Sequence, residues 1–422
     1  NKDLKRRDGY LIVTSSWIFM CLFGMLPYVL SGQIPSLTDA FFETVSGYTT
    51  TGATILNNIE SLDHGILFWR SLTQWIGGMG IIVLAVAILP FLGIGGMQLF
   101  VAEAPGVSLD KLQPRIKETA KRLWIIYISF TVLLFFILYA EGMSLFDAVN
   151  HAMTTFATGG FSTKDASIGY FDSPIIHYTI ILFMMISATN FTLIYFGLKL
   201  NFKKVFYNEE FRIYFLFILI VSLLVFISLL QYDISNVEKT FRTALFNVAS
   251  IITTSGFSTA DYTGWSEFLT ILFFILMFFG ASAGSTSGGV KIVRHVILLK
   301  NTYIELKKQI HQSGVFTLRF NNSKIPENVV FNILAFMMLY VVIFSVGSVI
   351  MTLLGVDFMT AIGSVAASLG NVGPGIGSVG PDATYSSIPI AGKWFLSLLM
   401  FIGRLELFTF LMILTPAFWR HN

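Results

Sequence analysis

The chain has 422 residues, of which 55% are apolar and only 12% are charged. A water-soluble domain carries about a quarter charged residues, so composition excludes one and implies an integral membrane protein. The formal net charge is only +3, with no nucleic-acid partner expected, and the single cysteine, Cys21, excludes a disulfide framework or a thiolate metal site.

Runs apolar enough to cross a bilayer, which takes about 20 residues, are expected at roughly 10–30, 66–92, 123–140, 175–198, 211–230, 268–297, 329–354 and 394–415. The chain opens on Asn1 without a cleavable signal pattern, so the natural N-terminus is expected to lie further upstream. Between the first two runs lies Ser36–Thr54, SLTDAFFETVSGYTTTGAT. Ser36-x-x-Asp39 is a helix-start signal, because a hydroxyl and a carboxylate can take up the orphan amides of a first turn. A short apolar helix follows and runs into Thr49-Thr50-Thr51-Gly52, a poor helix former.

This stretch recurs three times, aligned without gaps on Gly52, Gly160, Gly256 and Gly373. Alanine stands twelve residues before each (Ala40, Ala148, Ala244, Ala361), and an N-cap candidate sixteen before (Ser36, Ser144, Thr240, Asp357). A large apolar residue lies four before (Tyr48, Phe156, Ile252, Leu369), and a small polar one two before (Thr50, Thr158, Thr254, Asn371). Self-similarity of this kind defines the fold. The repeating unit is span, re-entrant loop, span.

Lys and Arg concentrate on one side of this arrangement. The N-terminus and the inter-unit loops hold 21 of the 27, while the glycine-loop side holds five, with Arg404 inside a span. Positive-inside bias places the inter-unit loops in the cytoplasm and the glycine loops outside. Fourteen of the 24 acidic residues lie on the glycine-loop side, leaving it nine negative and able to concentrate cations at a mouth.

Non-helical backbone at membrane depth persists only where protein buries it or it lines water. Four re-entrant loops are therefore expected to meet at one aqueous axis. The short helices would aim carbonyl dipoles at it, favouring a cation. Beyond them Thr50, Thr51 and Gly52, Thr158, Gly159 and Gly160, Thr254, Ser255 and Gly256, and Asn371, Val372 and Gly373 are candidates to hold K+ on a ring of backbone carbonyls.

In the sixth run, Gly280-Ala-Ser-Ala-Gly-Ser-Thr-Ser-Gly-Gly289 is longer than close helix packing needs. A broken helix is expected, with a mobile loop beneath the filter that includes Gly280, Ala283, Gly284, Ser285, Thr286, Gly288 and Gly289 and meets Lys291. Arg404 sits mid-span with Glu406 two residues on; i and i+2 point to different faces, so Arg404 is expected to have another partner. Trp75-Ile-Gly-Gly-Met-Gly80 reads as close helix packing, and His151 as a packed residue of the second short helix. The longest cytoplasmic segments, 93–122 and 299–326, carry no phosphate-loop pattern, so energy coupling or sensing is expected from another chain. No nucleophile–base pair stands at depth, so no enzyme is expected, and no cofactor beyond bound K+.

The motifs TTTGAT (49–54), WRSLTQWIGGMG (69–80), ATGGFST (157–163), TTSGFST (253–259), AGSTSGGVK (283–291), NVGPG (371–375) and GRLELFT (403–409) resemble the Trk/Ktr/HKT superfamily of potassium transporters. They are most similar to the membrane subunit of bacterial Trk potassium uptake systems. The resemblance implies an all-α membrane fold of four tandem helix–pore loop–helix units in pseudo-fourfold arrangement, with eight spans and four re-entrant pore helices. The units would be 1–92, 93–198, 199–298 and 299–422. It implies a homodimer in the bacterial inner membrane, gated by a cytoplasmic nucleotide-binding ring. It makes the four aligned glycines the filter, 280–290 the intramembrane gate and Arg404 the pore-facing arginine that meets it. Trk membrane subunits usually carry two further N-terminal helices and the Ktr branch lacks them; GRLE and QWIGGMG favour Trk. A glycine at all four filter positions implies potassium over sodium. The expected function is potassium-selective, channel-like uptake. The alternative is a Na+- or H+-coupled secondary transporter, against which four same-direction units argue.

Overall fold

The computed structural model describes residues 6–92, 116–231 and 236–420, and they are mostly helical. Four helices are single apolar rods long enough to cross a bilayer: Asp8–Leu30, Ala120–Ala140, Glu209–Leu229 and Glu327–Leu353. At most 33% of any of their apolar windows is buried, so they form the periphery, with Leu and Phe side chains turned outward.

The alternate runs were expected to be continuous except the sixth, and all four are broken. The helix His64–Leu92 carries Gly80 in a left-handed conformation (φ 69°). Pro174–Ser187 and Phe191–Leu198 meet at a 109° bend. Glu267–Leu276 gives way to a loop before the chain turns helical again at Ile292–Ile310. Ile390–Arg404 is separated from Phe408–Leu414 by Glu406 (φ 54°) and Leu407 (φ 37°). Hydropathy measures transfer into lipid, not backbone direction, so an apolar run conceals such a break.

The four short helices are Leu37–Tyr48, Leu145–Phe156, Val237–Ile252 and Phe358–Leu369. Ser36, Ser144 and Asp357 cap the first, second and fourth, accepting from the amides of Asp39, Asp147 and Thr360. The third departs from expectation. It starts a turn earlier on Asn236, which accepts from the Lys239 amide, and Thr240 lies in the first turn with its hydroxyl donating to the Asn236 carbonyl. The Asp39 carboxylate also departs, accepting from Lys393 Nζ (2.6 Å) 354 residues away rather than capping its own turn.

The core divides into two apolar clusters. One is built mainly from Ile126–Ile333 with Ala366, Val372 and Ile376, and the other joins both ends of the chain, Val13–Leu67 with Val290 and residues between Phe336 and Phe410. Of the expected cytoplasmic segment 93–122, residues 93–115 lie outside the described residues. The segment 299–326 is helix to Ile310 and then a short hairpin pairing Arg319–Phe320 with Ser323–Lys324.

Candidate functional site

Each short helix ends in the same backbone turn. Two residues before the aligned glycine, Thr50 (φ 52°), Thr158 (φ 53°), Thr254 (φ 56°) and Asn371 (φ 51°) are left-handed, which is costly for a β-branched side chain. The glycines repeat it: Gly52 at 84°, Gly160 at 80°, Gly256 at 77° and Gly373 at 101°. Strain repeated at one register in four segments marks a constrained site.

The four segments meet in a closed cycle. A Cβ on Gly52 would fall 2.3 Å from the Gly159 carbonyl oxygen, and one on Gly160 would fall 2.0 Å from that of Ser255. One on Gly256 would fall 2.3 Å from the Val372 oxygen, and one on Gly373 would fall 2.5 Å from the Thr51 oxygen. Each glycine thus faces the carbonyl that precedes the next glycine, and the fourth faces the first. All four glycines line one cavity, with Ala53, Thr54, Tyr385 and Pro374 among its walls.

The charged groups of that cavity are Arg70, Lys164 and Asp165, so its wall is not the acidic surface the side count suggests. The carboxylates nearby are engaged: Glu43 with Arg70, Asp39 with Lys393, Glu238 with Arg242, Asp147 with the hydroxyls of Ser144 and Thr163, and Asp357 with the Thr360 amide at a helix start. Between the cavity-lining Pro381 and Ala383, burial and then the neighbouring Asp261 carboxylate push the Asp382 carboxyl up from its ordinary value.

Behind the ring lie braces that the sequence did not single out. Arg70 Nε meets Glu43 Oε1 at 2.7 Å with both side chains buried, and its guanidinium lies 3.6 Å from the centre of the Phe161 ring. Arg70 also donates to the Ser162 carbonyl (2.9 Å), while Glu43 accepts from the Thr54 hydroxyl and the Ile55 amide. The pair thereby ties the segment after Gly52 to the segment after Gly160. The available signal was a carboxylate and a guanidinium inside apolar runs. Tyr385 Oη donates to the Gly373 carbonyl (2.8 Å). Asn371 Nδ2 reaches Thr51 Oγ1 and the Met400 carbonyl, both at 3.0 Å, across the join between first and fourth segments. Gln74 hydrogen-bonds the second segment on both sides of Gly160.

The 280–289 stretch lies against the back of this ring. Its ends are held side by side, the Gly280 amide donating to the Val290 carbonyl (2.7 Å) and the Ile292 amide to Ala281 (3.1 Å), with Gly284 (φ 70°) and Gly289 (φ 65°) turning the chain. The Ala283 amide donates to the buried Glu210 carboxylate (2.7 Å), and the Gly284 carbonyl accepts from Phe191. Ser285 and Ser287 share a hydrogen bond, and Lys291 Nζ donates to the Ser287 carbonyl. The Gly288 amide donates to Thr254 Oγ1 (2.7 Å), and Thr158 Oγ1 donates to Thr286 Oγ1 (3.3 Å). Thr158 and Thr254 are therefore points where the loop touches the ring, and a Cβ on Gly288 would fall 2.7 Å from that of Asn371 in the fourth segment.

Arg404 binds the loop from below. Its guanidinium donates to the carbonyls of Thr286 (2.9 Å), Gly77 (2.5 Å) and Gly78 (3.2 Å), joining the loop to the second run. Glu406 pairs with Arg294, on the helix that leaves the loop. A Cβ on Gly77 would fall 1.8 Å from the Tyr48 carbonyl, so Gly77 does serve close packing, whereas Gly80 marks the break. His151 is buried within the second short helix, between the Asp147 carbonyl and Ser162 Oγ.

The family model for TrkH, described as cation transport protein, matches residues 1–420. The chain is 45% identical over 426 residues to the Trk system potassium uptake protein TrkH of Escherichia coli K12, covering 99% of this chain and 87% of that protein. It is 40% identical to the Trk system potassium uptake protein TrkI of Halomonas elongata, covering 99% and 85%. The crystal structure of the potassium transporter TrkH from Vibrio parahaemolyticus superposes with a TM-score of 0.88 at 41% identity, covering 100% of this chain and 87% of that one.

Proposed function

Because this chain belongs to the TrkH family of cation transport proteins, we propose that it carries potassium into the cell through a filter of backbone carbonyls. The observation that carries the reading is the closed cycle in which each aligned glycine lies against the carbonyl preceding the next. Four carbonyls so placed replace the hydration shell of a weakly hydrated cation. The full reading comprises four tandem units with eight spans, four re-entrant helices and one axis, the filter opening outward. The membrane potential drives uptake, worth about 2.3 kcal/mol per charge per 100 mV. The 280–290 loop and Arg404 form the gate, a reading supported by the loop's hydrogen bond to Thr254 and by the hold of Arg404 on Thr286. A cytoplasmic nucleotide-binding subunit regulates it, and the protein works as a homodimer; both follow from the family resemblance.

The test is radiolabelled Rb+ uptake into K+-loaded proteoliposomes. Competition by external K+ and not by Na+ is the expected result, and equal competition would refute a selective ring. Uptake that follows an imposed Na+ or H+ gradient at fixed potential would mark a coupled transporter instead.

A further inference from the structure

We propose that Gln74 is a specificity-determining positioning residue, standing in for a side chain that the second filter segment lacks and weakening one filter carbonyl toward cations. The inference rests on the filter reading above. The residues preceding the four glycines are Thr51, Gly159, Ser255 and Val372, so only the second segment has no side chain there. Gln74 occupies the vacated space: a Cβ on Gly159 would fall 2.4 Å from its Cδ and 2.4 Å from its Oε1. Gln74 is fully buried and comes from a different unit, on the helix His64–Leu92.

Its amide grips the backbone on both sides of Gly160. Nε2 donates to the Gly159 carbonyl at 2.6 Å, and Oε1 accepts from the Phe161 amide at 3.0 Å. Gly159 nevertheless keeps its place in the ring, its oxygen standing to Gly52 as the Val372 oxygen stands to Gly256. Among the described residues no side chain donates to the Thr51, Ser255 or Val372 carbonyl, so the ring holds one loaded oxygen in four. An N–H on a carbonyl uses part of its lone-pair density and brings a positive dipole end beside the cation. Both lower the field at the site. Coulomb energy rises as the ion–oxygen distance shrinks, so a weaker field costs a small ion more than a large one. Loading Gly159 therefore favours K+ over Na+.

Cation binding is read without opening the gate, as stabilisation of the purified full-length protein by KCl or NaCl in a thermal melt. Wild type is expected to respond to K+ at a concentration at least about tenfold below that for Na+. Gln74→Leu removes the donor, and the separation is expected to shrink to about threefold, through tighter Na+ binding. Gln74→Met keeps the length and bulk of the side chain with no N–H or O–H donor, and is expected to shrink the separation as Gln74→Leu does. If Gln74→Leu does not fold, Gln74→Met decides. A purely structural Gln74 would lower the salt-free melting temperature and leave the K+/Na+ separation intact; that result in the folded variants overturns the proposal. Equal stabilisation of wild type by both ions would instead overturn the filter reading itself, and this inference with it.

Discussion

An alanine at residue 160 would place its Cβ 2.0 Å from the Ser255 carbonyl oxygen, on a backbone already at φ 80°. Two penalties coincide, about 1–2 kcal/mol for the left-handed conformation and a collision that only a shift of the ring relieves. Gly142 separates them, because it too is left-handed (φ 103°) but a Cβ there meets nothing within 4 Å. Gly142→Ala is expected to cost about 1 kcal/mol of stability and leave Rb+ uptake intact. Gly160→Ala is expected to lose at least about tenfold in uptake; retained uptake in that variant would remove Gly160 from the filter. The buried Glu43–Arg70 pair makes a second prediction. Glu43→Gln strands a guanidinium and should cost about 3–5 kcal/mol, seen in a thermal melt, while Glu43→Leu with Arg70→Met should recover much of it. At this scale the glycines were legible because they recur at one register. The braces were not, since a hydrogen bond spanning 85 residues, as from Gln74 to Gly159, leaves no mark on local pattern.

At the scale of the element, each of the alternate apolar runs breaks: at Gly80, at the 109° bend after Ser187, over 277–291, and at Glu406–Leu407. Only the third break was expected, because there glycine, serine, alanine and threonine displace large apolar residues over ten positions, whereas Gly77, Gly78 and Gly80 read as close packing. Thr189 and Leu405 sit in runs whose composition stays that of a span, and hydrophobicity has no opinion on backbone angle. The partner of Arg404 was foreseeable as other than Glu406, since i and i+2 diverge; that it is three carbonyls follows from the breaks, which expose carbonyls no longer held by i→i+4 bonds. Arg404→Ala, by releasing Thr286, is expected to raise basal Rb+ uptake. Uptake at the wild-type level in a folded Arg404→Ala protein would reduce Arg404 to a structural link. Asn236, four residues before the expected cap, illustrates the same limit on a smaller element. Thr240 and Asn236 are both good caps, and local sequence does not choose between them.

At the scale of the whole molecule the ring is one cooperative object. Each glycine meets the next segment's carbonyl, so a displacement at one site passes round the cycle. Losses should therefore not add. Gly52→Ala and Gly256→Ala in one chain are expected to reduce K+/Na+ discrimination little beyond the worse single variant; strictly multiplicative losses would mean four independent contacts. The four short helices, each ending in the same left-handed turn, were legible from the repeat. The charge lining the cavity was not, because a count by side does not reveal which carboxylates are already spoken for by Arg70, Lys393 or a helix start.

The join between the fourth segment and the first has a consequence for biosynthesis. Asn371 meets Thr51 across 320 residues, Lys393 meets Asp39 across 354, and Trp394 stacks on Phe41 at 4.6 Å. A ribosome adds about 5–20 residues per second, so the first segment stands in the membrane for some tens of seconds before its neighbour exists. Throughout that interval Thr51, Asp39 and Phe41 face an unfinished wall. A nascent chain stopped short of Gly373 has three quarters of a ring, no seam and an apolar surface that the missing quarter would have covered. Such a fragment is an obvious substrate for membrane quality-control proteases.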